Sequence, residues 1–256
     1  MNDRRTPKAL TVVSSKRLTP NMQRVTLAGT DLESLPDGSE GDYIKLLFAQ
    51  GGEVKPLMRT YTIARQRKNP HEIDVDFMLH GHGTVDGIAA PWSLSTQVGD
   101  GISIFGPGPG KVINLDADWF LLGADMTALP ALTANLKTLP ADAKGVACIE
   151  ILSAEDEQVL EKPEKVDVHW VVNPDAGSEE SPLFTAIRQT TWHDGQAAVW
   201  VACEFKAMKK IRQYLKQERQ LATSHLYTSS YWKKGISEDQ HKVVKREDAE
   251  AADTQP

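Results

Sequence analysis

The spacing of apolar residues changes character near residue 112. Before that point, six short apolar runs occur at Leu10–Val13, Val25–Ala28, Tyr43–Phe48, Thr60–Ala64, Ile73–His80 and Gly101–Phe105. The clusters LTPN, LPDGSEGD, QGG, RKNP and VGDG separate them, and such residues favour turns. Ile73, Val75, Phe77 and Leu79 alternate with Asp74, Asp76, Met78 and His80, which is the period of a half-buried strand. Short strands at this spacing predict a six-stranded antiparallel β-barrel over residues 1–112.

After about residue 117, strands alternate with helices. Trp119–Gly123, Val146–Leu152, Val166–Val172, Ala197–Cys203 and His225–Tyr231 read as strands. Leu129, Leu132, Leu136 and Leu139 recur at helical spacing, as do Met208, Ile211 and Leu215, and Leu183–Arg188 reads as part of a third helix. This alternation predicts a parallel α/β sheet over residues 117–236. The tail, 237–256, is charged and lacks a long apolar run, so it is either a polar helix or disordered. Two domains in contact make a crevice, where small ligands usually bind.

Composition narrows the partners. The 256 residues carry a formal charge of −6, which argues against a nucleic-acid binder. No apolar run approaches the ~20 residues of a membrane span, and the first residues, MNDRRTPKAL, lack the apolar core of a secretory signal. Cys148 and Cys203 make neither a disulfide framework nor a CxxC site. A soluble, cytoplasmic monomer is expected.

Five segments hold candidate chemistry. In RTYTIAR, Arg59, Tyr61, Ile63 and Arg65 share one face of a regular strand, and Thr60, Thr62 and Ala64 share the other. Two arginines beside a ring suit a phosphorylated planar cofactor, although solvated surface arginines satisfy the same pattern. HGHGTVDGIAAPWS, from His80 to Ser93, contains small residues that let backbone N–H groups approach a phosphate, or it is a plain connection. His80 and His82 have no cysteine or carboxylate cluster to complete a metal set, and no metal is expected. GADMTALPA follows the first α/β strand, where Asp125 or Thr127 suits a helix cap and the usual ligand crevice lies. Cys203 and Glu204 end a later strand on the same side. Tyr231 and Trp232, followed by Lys233 and Lys234, suit an anionic aromatic ligand, or a terminal strand with snorkelling lysines.

The order of these segments resembles the ferredoxin–NADP reductase superfamily and, more narrowly, the siderophore-interacting protein family of flavin-dependent ferric-siderophore reductases. RTYTIAR completes that family's R-x-Y-T-x-R. DVDFMLHGHG resembles its D-x-x-x-x-L-H-G, and VGDGISIFGPGPG its GD-x-x-x-x-x-GP turn. GADMTALPA resembles G-D-E-T-A-L-P-A, and YWKKGISED resembles Y-W-R-x-G-x-x-E-D. The matches run in order over about residues 43–239. The chain departs at His82, where the family often has Asp, in Thr84–Ala90, which differs from the usual G-P-A, at Ala124-Asp125-Met126, which replaces the usual D-E stretch in part, and at Cys203, where the family commonly has Gly.

The resemblance implies FAD as cofactor and NADH or NADPH as electron donor, with ferredoxin as a further candidate. It implies that Arg59 binds flavin phosphate, that Tyr61 packs on the isoalloxazine and that Thr62 hydrogen-bonds near the ring N5, so Tyr61 and Thr62 are the expected catalytic positions. Arg65, His80, Gly81, Ala89, Trp92, Asp125, Thr127, Cys203, Glu204, Tyr231 and Trp232 are the further expected cofactor contacts. A ferric siderophore is the implied substrate. Many such chelates are anionic, so Lys45, Lys55, Lys233 and Lys234 are candidates for a basic mouth. Glu155, Asp156 and Glu157 follow the second α/β strand, where an acidic group suits a free ribose and leans toward NADH. Two alternatives stay open: a flavin or ferredoxin reductase with another acceptor, and a non-enzymatic flavin- or siderophore-binding protein.

Overall fold

The computed structural model describes residues 6–52, 54–79 and 87–253. Six strands, β1 (Lys8–Thr19), β2 (Met22–Ala28), β3 (Tyr43–Phe48), β4 (Leu57–Lys68), β5 (His71–Met78) and β6 (Gly101–Gly108), close in the order β1-β2-β5-β4-β3-β6. All the pairings are antiparallel, and closure gives each strand a neighbour on both sides. The alternation in β5 directs Ile73, Val75 and Phe77 into the core. On the opposite face Asp74 is also buried, because Arg67 Nη2 bonds it at 2.7 Å while Arg24 Nε takes neighbouring Asp76 at 2.6 Å. Helix α1 (Ala89–Ser95) packs against the barrel core, with the Trp92 ring 5.6 Å from Phe48 and 5.7 Å from Phe77.

The second half builds a parallel sheet from β7 (Trp119–Asp125), β8 (Gly145–Ile151), β9 (Val166–Val172), β10 (Ala197–Glu204) and β11 (Leu226–Trp232), in the order β11-β10-β7-β8-β9. Strands β7, β8 and β10 are buried along their whole length, which explains their continuous apolar runs. Helix α2 (Leu129–Thr138) contributes to the core on one face. Helices α3 (Pro182–Gln189) and α4 (Phe205–Gln217) cover the other. Strand order reverses between β7 and β10, so a crevice opens at their carboxyl ends.

The charged tail forms helix α5 (Glu238–Asp253). Arg212 of α4 holds its Asp248 through two bonds of 2.8 Å, so it is anchored through ion pairing where an apolar stripe is lacking. The barrel and sheet share a buried apolar cluster that takes in Met22 and Met78 of the barrel, and polar contacts add to it. Asn135 of α2 accepts from Ile113 N at 2.7 Å, Trp200 Nε1 donates to Lys111 O at 2.8 Å, and Lys137 pairs with Glu40 at 2.8 Å.

Candidate functional site

Strand β4 positions the first group of candidates. Arg59 pairs with Leu46 and Tyr61 with Ile44. Both partners are fully buried, and directly opposed residues share a face, so Arg59 and Tyr61 lie on the inner face. Tyr61 stacks 4.4 Å from Phe77 and stays half-buried. Burial, with Glu238 nearby, raises its phenol well above the usual value, so the ring is neutral. Thr62 pairs with Tyr43 on the outer face and is buried. Strand β5 pairs with β4 only from Ile63 onward. Over Arg59–Thr62, β4 is therefore laddered to β3 alone among the described residues.

Arg65 departs from the expected common face. Ile63 opposes Val75, but Arg65 opposes Asp74, so one extra residue stands on β4. Such a bulge reverses the alternation, turning Arg65 to the face of Asp74, opposite Tyr61 and Ile63. The sequence carries no turn residue at Ala64 to announce it.

Ala89 and Trp92 belong to the helix packed on the barrel core. His80 and Gly81, with His82, lie outside the described residues. Lys45 stands opposite Thr60 on the outer face of the barrel, and Lys55 is exposed. The other two lysines are engaged in the α/β domain: Lys233 Nζ lies 4.8 Å from the Phe205 ring centroid, and Lys234 pairs with Asp175.

The second group gathers at the carboxyl ends of β7, β8 and β10. Asp125 does not cap α2, whose N-cap is Ala128 without a side-chain bond. Its carboxylate instead accepts from Thr127 N at 3.0 Å, Thr127 Oγ1 at 2.5 Å and Trp232 Nε1 at 2.7 Å. Glu204 caps α4, accepting from Lys206 N at 2.5 Å and Ala207 N at 3.2 Å, and it also holds Lys234 N at 3.3 Å. Cys203 is buried between these groups. Burial first, then Asp125, Glu150 and Glu204, push its thiol well above the usual value, which disfavours the reactive thiolate. Sequence reasoning missed Glu150, a carboxylate inside the apolar strand GVACIEI. Burial and the Asp125 charge push it up to about 7. These residues line a small cavity with Asn173 and Ser181.

Asp156 corrects the ribose reading. It is fully buried, and its oxygens accept from Thr19 Oγ1 at 2.6 Å, Asn21 N at 2.9 Å, Asn21 Nδ2 at 2.8 Å and Ser153 N at 3.1 Å. It joins the two domains. The acidic cluster seen in sequence therefore gives no preference for NADH through this residue.

The donor set fits a phosphorylated aromatic cofactor. The Arg59 side chain is 13% exposed, bonds Met58 O at 2.9 Å and lies 3.7 Å from Asp239. A guanidinium has five N–H donors, so this fork retains capacity for phosphate, and the half-buried Tyr61 ring stands two residues along the same face. The barrel, the parallel sheet and this pairing together define a flavin-dependent reductase architecture.

Comparison with known proteins agrees. Residues 11–56 and 49–111 match the siderophore-interacting FAD-binding domain, and residues 117–235 match the siderophore-interacting protein family. The chain is 32% identical over 252 residues to ferric vibriobactin reductase ViuB of Vibrio cholerae, covering 91% of this chain and 92% of that protein. It is 24% identical over 245 residues to the NADPH-dependent ferric-chelate reductase of Escherichia coli, covering 88% and 92% respectively. The siderophore-interacting protein SipS from Aeromonas hydrophila superposes with a TM-score of 0.82 at 29% identity, covering 95% of this chain and 98% of that one. The chain belongs to the siderophore-interacting protein family.

Proposed function

We propose that this protein is an FAD-dependent reductase of ferric siderophores, acting in the cytoplasm with NADH or NADPH as electron donor. Family membership spanning both domains carries the reading. Bound FAD supplies the conversion of a two-electron hydride donor into single electrons for ferric iron. Ferrous iron binds hard oxygen chelators less tightly than ferric iron, so reduction releases the metal.

The chain's own residues bind and orient. Arg59 holds phosphate, Tyr61 offers a neutral aromatic face, and Thr62 offers a hydroxyl at the ring edge. The crevice at Asp125, Thr127, Cys203, Glu204, Tyr231 and Trp232 receives the nicotinamide donor. Lys45 and Lys55 are the better candidates for an anionic chelate, because Lys233 and Lys234 already have partners. The reaction needs no side-chain nucleophile.

Three measurements test this reading. The purified protein binds FAD and is yellow. Anaerobic mixing with NADH, NADPH or reduced ferredoxin bleaches it and identifies the donor. A ferrous-iron trap then reports turnover with a ferric siderophore. A colourless protein with no affinity for FAD overturns the reading, and bleaching without trapped iron points to another acceptor.

A further inference from the structure

The segment Arg59–Thr62 is gripped from the other end of the chain. Glu238, at the start of α5, accepts from Thr60 N at 3.0 Å and from Thr60 Oγ1 at 2.9 Å. Its side chain is 18% exposed, with Lys242 Nζ at 3.2 Å as counter-charge. The next residue, Asp239, faces Arg59 at 3.7 Å. The Thr60 N–H is available because β5 does not pair with this part of β4. Alternate backbone groups of a strand point to the same edge, so Thr62 directs its N–H along the edge that Glu238 occupies at Thr60.

The grip is rigid. Helix α5 is fixed to the α/β domain by the Arg212–Asp248 pair. It is also fixed by His241 Nε2 against Ser230 Oγ at 2.9 Å and by Lys245 Nζ donating to Ser229 Oγ at 2.7 Å and Ser230 O at 2.9 Å. A carboxylate held this way fixes the strand it bonds, and both bonds it accepts are charge-assisted.

We propose that Glu238 is a positioning residue for the flavin. From the α/β domain, it sets the free edge of β4 at Thr60 and thereby the placement of Tyr61 and Thr62 against the ring. This rests on the flavin reading above and adds a residue to that site. With a flavin held at Tyr61 and Thr62, the Glu238 carboxylate, partly offset by Lys242, would disfavour added negative charge on the ring and lower its potential.

The test compares wild type, Glu238→Ala, Glu238→Gln and Thr60→Val as apoproteins titrated with FAD. It reads the dissociation constant, the visible absorption and circular dichroism of the bound flavin, and its midpoint potential. Losing two charge-assisted bonds is expected to weaken FAD binding about tenfold in Glu238→Ala and to shift the flavin bands. Glu238→Gln keeps an acceptor oxygen, so it restores most of the affinity and spectrum while its potential stays more positive than wild type. Thr60→Val keeps the branched shape but loses one bond, so it shows a smaller shift in the same direction and serves if Glu238→Ala does not fold. Wild-type affinity, spectrum and potential in the folded variants overturn the proposal. Failure of wild type itself to bind FAD overturns the flavin reading instead.

Discussion

Asp156 holds Asn21 with both carboxylate oxygens, one on the backbone N–H at 2.9 Å and one on the side-chain amide at 2.8 Å. The two residues belong to different domains and are 135 positions apart. The contact is fully buried at Asp156 and makes this residue a structural joint. Replacing it with Ala strands the donors of Thr19, Asn21 and Ser153. Buried unsatisfied groups cost about 1–3 kcal/mol each, so Asp156→Ala is expected to lose roughly 3 kcal/mol overall, measured by denaturant unfolding. The ratio of kcat/KM for NADH to that for NADPH stays unchanged in any Asp156→Ala protein that folds. A changed ratio contradicts the structural assignment.

Arg59 is the second test. If it holds flavin phosphate, Arg59→Ala weakens FAD binding about 10- to 100-fold, the scale of a charge-assisted hydrogen-bonded contact. Arg59→Lys loses less, because the charge remains while the planar fork is lost. Fluorescence titration of apoprotein reads both, and equal affinity in all three proteins argues against the role.

Glu150 predicts a pH dependence of stability. Its folded-state value, raised to about 7, lies above that of the unfolded chain. Its contribution is therefore fully present below 4.5, the ordinary value, and is lost as pH rises from there through 7. Glu150→Gln keeps an acceptor for Leu183 N, which Glu150 Oε2 now bonds at 3.2 Å. The variant should match wild type near pH 4 and exceed it by about 2–3 kcal/mol near pH 8. Parallel stability curves over that range count against the assignment.

His241 has the opposite sign. Burial first, then the charge of Lys245, opposed by Glu238, with Lys233 also present, lowers its pKa from 6.5 to about 4. The folded state prefers the neutral ring, so stability is complete above 6.5 and falls as pH drops toward 4. In His241→Gln that component is missing. Acidification from pH 7 to 4.5 should therefore destabilise the variant less than wild type by about 2 kcal/mol. Comparing the two proteins cancels the loss from other acid-titrating groups.

The sequence by itself determined both domain types, because one physical signal governs each half. Alternation with frequent turn residues allows only small antiparallel strands. Continuous apolar runs between amphipathic helices require a sheet covered on both faces. It also singled out Arg59, Tyr61, Thr62, Asp125 and Trp232 as candidates, since those residue types stand in motifs of fixed order.

Only the tertiary structure decided how these residues meet. The bulge at Ala64 turns Arg65 away from Tyr61, and backbone register of this kind leaves no mark in side-chain period. Asp156 reads in sequence as a surface acid beside Glu155 and Glu157, yet it is buried by a turn more than 130 residues earlier. Glu238 lies in a tail that composition alone left as helix or disorder, yet it reaches the strand proposed to meet the flavin. Such long-range hydrogen bonds depend on the domains docking in one orientation. A carboxylate looks the same in sequence whether solvent or another domain supplies its partners.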